Sequence, residues 1–142
     1  MKYFVPSILM MGFIYFFSAM PGDESSLQHS RVIDFLAWLG IDLYQILGTD
    51  AVWWVRKTAH FVLFGILSLT YLHGFRKNKR ACAYPISWMM TLLFAISDEL
   101  HQYYVPGRVA YWGDVMIDIL GGTFFLLGIK FFNIIFLKRG SI

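Results

Sequence analysis

Three short segments of the chain carry polar side chains at the spacing of three or four residues that places them on one face of a helix. The three sets are Lys57 with His60, Asp98 with His101 and Gln102, and Asp114 with Asp118. Arg108 lies between the second set and the third. Arginine and lysine bind phosphate oxygens, histidine transfers protons near neutral pH, and a carboxylate can orient that histidine. These residue types predict acid–base chemistry on a phosphate group, if helices bring the three sets together.

The same residues also fit a structural role. Asp98 with Arg108, or Asp114 with Lys57, would form ion pairs that fix a small helical bundle, and His60 would donate to a backbone carbonyl. Charged groups at membrane depth are costly and face a bundle interior or a wet cavity. So many titratable groups on one side of the chain favour a functional site over a structural one.

The spacing of three further ionisable residues does not place them with the polar sets described above. Glu99 points off the helix face that Asp98 and His101 share, so we expect it in solvent or at the rim of the site. His29 and His73 are isolated in the sequence.

The composition is that of a membrane protein. Apolar residues make up 58% of the 142 residues and charged residues only 15%, with a mean hydropathy of +0.57. The single cysteine, Cys82, excludes an intrachain disulfide and a CxxC metal site. The basic run RKNKR at 76–80 is an orientation signal and a contact for anionic lipid, so we expect no nucleic-acid partner.

Four apolar stretches are long enough to cross a bilayer, which takes about 17 to 25 residues. They run over about 3–20, 58–75, 81–97 and 115–137. Between the first two, residues 26–39 carry apolar side chains at helical spacing, which predicts an amphipathic helix in the membrane interface. Its start is predicted from Ser25 and Gln28, which are spaced as a capping box. The predicted fold is a single all-α membrane domain, 1–142, with four transmembrane helices plus this interfacial helix.

The basic residues that flank the spans predict the orientation, because cytoplasmic loops are enriched in lysine and arginine. One side holds Lys2, Arg76, Lys77, Lys79, Arg80, Lys130, Lys138 and Arg139. The other side holds Arg31, Arg56, Lys57 and Arg108, together with all 9 acidic residues. Both termini are therefore expected in the cytoplasm, and the polar site is expected to face outward from a multi-pass plasma-membrane protein.

Four stretches of this chain resemble the VanZ-like family of small bacterial membrane proteins. They are FSAMPGDESS, RKTAHFVLFGIL, SDELHQYYVPGR and GDVMIDILGG. The polar and turn positions that the resemblance carries over are Ser18, Lys57, His60, Asp98, Glu99, His101, Gln102, Pro106, Gly107, Arg108, Asp114 and Gly121. Two positions depart from the family pattern: Asp118 stands where the family is expected to have asparagine, and Phe64 replaces a frequent tyrosine.

The resemblance implies a role in the cell envelope and a link to resistance against glycopeptide antibiotics, notably teicoplanin. It also suggests, by analogy with a wider group of four-helix membrane proteins, action on phosphate-linked lipid head groups. The expected partners are membrane lipids or a lipid-linked cell-wall precursor.

The leading hypothesis is a lipid phosphoester hydrolase or head-group transferase at the outer leaflet. The candidate catalytic residues are His60, Asp98, His101 and Asp114. The candidate substrate-binding residues are Ser18, Lys57, Glu99, Gln102 and Arg108. Either His60 or His101 is the base in this hypothesis, and Asp98 or Asp114 orients it.

Two alternatives use the same residues differently. Asp98, Asp114 and Asp118 offer oxygen ligands that could hold Mg²⁺ or Ca²⁺. A non-catalytic protein that binds a lipid or an antibiotic would need the charges without a proton shuttle. A transporter is disfavoured, because among the spans only Lys130 and His73 place polar groups in the inner half.

Overall fold

The structure is a computed structural model that describes residues 2–137, and these residues are all-helical without a strand. Its α-helices are α1 (Val5–Ser18), α2 (Gly22–Trp38), α3 (Leu43–Leu47), α4 (Ala51–Lys77), α5 (Ala83–Tyr103) and α6 (Trp112–Phe132). Single 3₁₀ turns cover Lys2–Phe4 and Gly48–Asp50, and a π-helical turn covers Asn133–Leu137. The predicted all-α class is confirmed.

Two helical segments within residues 2–137 are long and apolar enough to cross a membrane, Leu43–Lys77 and Trp112–Phe136. A third span results if Lys2–Ser18 and Gly22–Trp38, which meet at an angle of 109°, are counted as one broken segment. Helix α5 is not among these segments, and it continues past the predicted boundary at residue 97 through the polar residues 98–102. The predicted set of four spans plus an interfacial helix is therefore not confirmed.

The bend between α1 and α2 is explained by Pro21. Its φ of −52° and ψ of 151° are extended, so the chain leaves the α1 direction there and starts α2 at Gly22. The predicted capping box is wrong: Ser25 lies inside the helix and is buried, and Gln28 donates to the sulfur of Met20 at 2.8 Å.

The apolar face predicted for residues 26–39 forms, but it does not pack on the bundle. Val32, Phe35 and Leu39 are exposed, and the fully buried residue of α2 is Ile33. Gly40, at a φ of +90°, follows the helix end. Helix α2 therefore buries one narrow face against the bundle and leaves most of its apolar stripe exposed.

Helix α4 is the centre of the bundle and packs against α1, α2, α5 and α6. The main apolar core is built around Phe64, Leu67 and Tyr71 of α4, with Ala95 from α5 and Val115 from α6. A second cluster at the other end of the helices joins Leu72, Ala83 and Leu126.

Small residues allow α4 and α6 to approach closely. A Cβ at Gly121 would overlap the backbone carbonyl of Phe61 on α4. At the next residue of α6, the carbonyl of Gly122 lies 3.3 Å from the buried hydroxyl of Ser68, which also donates to the carbonyl of Gly65 at 2.7 Å. Small side chains at helix interfaces are typical of membrane bundles, where close backbone packing replaces the hydrophobic effect. This contact sets the distance between the helices that carry Lys57 and His60 on one side and Asp114 and Asp118 on the other.

We expect Gly121→Ala to destabilise the protein by about 1–3 kcal/mol, because the new methyl group must push α6 away from α4. Gly128→Ala, on the same helix with open space around its Cβ position, is the matched control and should not lower the melting temperature. Thermal unfolding of both purified variants in the same detergent measures the difference. Equal melting temperatures would contradict the close contact between α4 and α6.

Candidate functional site

The predicted polar groups meet around a buried carboxylate. Asp114, in the first turn of α6, is 1% exposed and pairs with the ammonium group of Lys57 on α4. An Nη2 atom of Arg56 lies 3.4 Å from the other carboxylate oxygen. One buried negative charge thus receives two positive charges from adjacent residues of α4. Lys57 and Asp114 therefore form the structural ion pair that the sequence analysis gave as the alternative to a ligand-binding role.

A hydrogen-bonded chain extends this cluster to α5 and α1. Gln102, which is fully buried, accepts from Arg56 at 3.3 Å and donates to Asp98 at 2.9 Å. Ser18, at the end of α1, donates to the same Asp98 oxygen at 2.9 Å. The other Asp98 oxygen is buried and has no partner among the described residues. This network links four helices and brings together Ser18, Gln102 and Asp98, as the sequence predicts.

Arg56 was not named as a site residue from the sequence, although the three- or four-residue spacing used for the other residues also applies to it. Arg56 and His60 are four residues apart and therefore share a face of α4, as Lys57 and His60 do. Arg56 bridges Gln102 and Asp114, so it joins the α5 part of the network to the α6 part.

His60 is oriented by a carboxylate, but not by one of the two predicted. Its Nδ1 lies 3.0 Å from an oxygen of Asp118, which is 1% exposed, and its ring stacks on Phe64. With Asp118 ionised, Nδ1 donates and Nε2 is left as the acceptor atom of the ring. Within residues 2–137, Nε2 has no hydrogen-bond partner, and His60 lines a cavity. This is the Asp–His arrangement that activates a nucleophile in hydrolases.

His101 is placed differently from His60. Its ring stacks on Tyr15 of α1, with the ring centroids 4.5 Å apart. Its Nε2 atom is buried without a partner in the described part of the chain. Asp98, the expected partner on the same helix, is bonded to Ser18 and Gln102 instead. The structure therefore gives His101 no carboxylate to orient it.

Arg108 ties the loop between α5 and α6 to the end of α1. Its Nε donates to the carbonyl of Met20 at 3.2 Å, and its Nη2 donates to the carbonyl of Phe17 at 3.1 Å. Burial, helped by the charge of Arg56, lowers the pKa of the Arg108 guanidinium from its very high ordinary value. The group nevertheless stays charged. The structural alternative, an ion pair with Asp98, is not formed among the described residues: Arg108 binds main-chain oxygens and also lines the cavity.

The two residues before Arg108 hold the same junction. The N–H group of Gly22, at the start of α2, donates to the carbonyl of Pro106 at 3.1 Å. Gly107 has a φ of +73°, and its carbonyl lies where a Cβ of Gly22 would be. The PGR motif therefore fastens the turn between α5 and α6 onto the bend between α1 and α2.

The expectation that Glu99 lies in solvent or at a rim is wrong. Glu99 is 5% exposed and accepts the backbone N–H of Tyr111, the residue before α6. The Glu99 carboxylate thus satisfies the N–H group of the residue that caps the start of α6. Its second oxygen is buried and has no partner within residues 2–137.

The three aspartates proposed as metal ligands do not share a site. Asp98 is bonded to Ser18 and Gln102, Asp114 is paired with Lys57, and Asp118 is bonded to His60. Among residues 2–137, no three histidine, cysteine, aspartate or glutamate side chains are grouped as a metal site would require. The residues do not fit a shared Mg²⁺ or Ca²⁺ ion.

A cavity of about 490 Å³ lies between α1, α2 and α4 beside this cluster. Its polar lining includes Ser18, His29, His60 and Arg108. His29 is thus a site residue that its isolation in the sequence concealed, because it comes from α2 rather than from the predicted spans. The volume falls in the range of ligand-binding pockets.

Comparison with known proteins identifies a family. The family model described as VanZ/LLP1 matches residues 3–135, nearly the whole chain. No curated protein and no solved structure matches the sequence.

Breaking the central ion pair should destabilise the fold asymmetrically. We expect Asp114→Leu to cost about 3–5 kcal/mol, because it leaves the buried Lys57 charge without its partner. Lys57→Met should cost less, because Arg56 remains to compensate Asp114. The double variant should recover part of the loss, since an apolar pair can replace a buried ion pair.

Unfolding free energies of the three variants in one detergent form a double-mutant cycle. Additive effects would show that Lys57 and Asp114 are not coupled, in conflict with the contact.

Proposed function

Because the chain belongs to the VanZ/LLP1 family, we propose that it is a membrane enzyme acting on a phosphate-linked lipid head group at the outer leaflet. Membership suggests a cell-envelope protein linked to glycopeptide resistance. The apolar helices are those of a membrane protein. The reaction is the transfer of the phosphate-linked group to water or to a second hydroxyl.

The proposed topology has α1, α4, α5 and α6 as spans, with α2 in the outer interface and the chain ends in the cytoplasm. Support comes from the two ends of α4, whose 27 residues give a length of about 40 Å. Lys57 and His60 lie in its first turns, whereas Arg76 and Lys77 lie in its last turn. Lys138 and Arg139, which also contribute to the predicted charge asymmetry, lie outside the described residues.

The observation that carries the proposal is the bonding of His60. Its Nδ1 is held by the buried Asp118 while the ring lines an apolar cavity that Arg108 also borders. In this arrangement His60 Nε2 takes the proton of a water or hydroxyl that attacks phosphorus, and the Asp118 carboxylate stabilises the imidazolium that forms. The same Nε2 then returns the proton to the oxygen of the leaving group.

Arg108 can bind phosphate in spite of its structural bonds. A guanidinium has five N–H groups, and two atoms of Arg108, Nε and Nη2, are used on the end of α1. The remaining N–H groups are held in place by those bonds, so the fork is oriented before a ligand arrives. His29, which lines the same cavity, adds a neutral donor.

Lys57, Asp114, Gln102 and Asp98 have a supporting role in this proposal. They are buried and bonded to one another. They fix the helices that carry His60 and Asp118, so they act as positioning residues and not as catalytic residues. His101, with no carboxylate to orient it, is the weaker candidate for the base.

The same contacts favour one second candidate, a protein that binds an anionic lipid or an antibiotic without reacting with it. Many of the polar groups are satisfied internally, and within residues 2–137 the charged or titratable side chains that line the cavity are His29, Arg31, His60 and Arg108. Such a protein requires the charge of Arg108 and not the proton transfer of His60.

His60→Gln distinguishes the two candidates. An enzyme should lose product formation by about 10²-fold or more, because glutamine keeps the size and polarity but takes no proton. His73→Gln, at the opposite end of α4, is the matched control and should behave as the unaltered protein. The measurement is envelope lipid profiling of cells with and without each variant, with teicoplanin susceptibility recorded alongside.

Arg108→Gln completes the test, with membrane insertion checked for every variant. Both candidates predict that this variant fails, since each needs the positive charge. Full function of His60→Gln together with failure of Arg108→Gln would refute the enzyme and leave the binding protein.

A further inference from the structure

The cavity between α1, α2 and α4 is apolar over most of its length. Its wall includes Ile14 and Phe17 from α1, Leu63 and Phe64 from α4, and Val32 from α2. Ile14 and Phe64 are buried at 3% and 1% exposure, so they form the floor. An apolar cavity of this size gains free energy by holding hydrocarbon rather than water.

The polar residues of the same cavity carry one sign of charge. Its charged side chains are Arg31 and Arg108, with His29 and His60 beside them, and no aspartate or glutamate of the described residues lines it. The nearby carboxylate of Asp118 lies behind His60 and is bonded to it. A neutral chain would leave these cations without a counter-charge, and a small free anion would leave the apolar wall in water. The ligand that suits both parts is an amphiphile with an anionic head group.

The cavity opens sideways as well as toward the end of the bundle. Phe13, Val32 and Val62 border it and are 48%, 47% and 37% exposed. In the proposed topology these apolar rims face the bilayer. A chain can therefore enter from the membrane without passing through water.

We infer that this cavity holds one hydrocarbon chain of an anionic lipid, with the head group between Arg108 and His60 and with α2 as its cover. This assignment rests on the proposed function, since it names the substrate class of the same site as a phosphate-bearing lipid. Helix α2 supplies His29 and Arg31 to the head-group end and Val32 to the wall. Specificity for the lipid thus comes from a helix outside the polar network.

Photo-crosslinking with hexadecyl phosphate that carries a diazirine in its chain tests the inference on the purified full-length protein in neutral detergent. We expect labelling of α1 near Phe13 and of α4 near Val62. Unlabelled hexadecyl phosphate should compete, whereas hexadecanol and inorganic phosphate should compete at least about tenfold more weakly, because each lacks one of the two recognised parts. Equal competition by inorganic phosphate would identify a free-anion site and overturn the inference.

A filling variant provides the structural control. Ala59→Phe puts a ring into the cavity and should reduce competable labelling by about tenfold or more, and Val62→Phe should do the same at the rim. Leu93→Phe, on an exposed face of α5, adds the same ring in a place away from the cavity and should change nothing. Labelling that is spread over exposed faces and unaffected by Ala59→Phe and Val62→Phe would also overturn the inference.

The two proposals can fail separately. If the cavity is labelled competably but His60→Gln leaves lipid turnover intact, the enzyme proposal fails and the chain site stands. If His60→Gln abolishes turnover while Ala59→Phe and Val62→Phe alter neither labelling nor turnover, the chain site fails and the enzyme proposal stands.

Discussion

The burial of charge inside a helical bundle is the constraint on which this structure depends. Asp114 is almost inaccessible, and Lys57 and Arg56 of α4 compensate its charge. Gln102 of α5 bonds to Arg56 and to Asp98, and so connects this pair to the other helices. An isolated charge in such surroundings is strongly disfavoured, so each of these groups requires the others in place. The network therefore fixes the relative positions of the helices in a chain with a small apolar core, and specificity of packing comes from polar contacts as much as from apolar ones.

That constraint also separates two kinds of polar residue that look alike in sequence. Lys57 and Asp114 neutralise each other and have little left to offer a ligand. His60 and Asp118 form a pair in which only one ring nitrogen is used. The same cluster thus contains a closed part, which holds the helices, and an open part, which borders a cavity. The carboxylate of Asp118, when ionised, can only accept, so it makes Nδ1 of His60 the donor atom of the ring.

The sequence predicted the helical class and the convergence of Lys57 and Asp114, because three- and four-residue spacing defines a helix face without knowledge of packing. It did not predict which carboxylate meets which base, since that depends on the rotation of each helix. Glu99 is an example of what helix spacing cannot predict. Its position off the Asp98 face suggested that it would be exposed to solvent, but the start of α6 covers it and Tyr111 donates to it. Arg108 was assigned to a ligand or to Asp98, and its bonds to the carbonyls at the end of α1 were missed because backbone acceptors leave no mark in a sequence.

The PGR turn has one property that follows from the kind of atoms it binds. Phe17, Met20, Gly22 and Pro106 take part in the junction through their main-chain N–H and carbonyl groups, and Arg108 is the one side chain among these bonds. Substituting the side chain of Phe17 would leave these main-chain bonds intact, although that side chain lines the cavity. The backbone of this junction can therefore keep its position while the adjoining cavity wall changes in shape and chemistry.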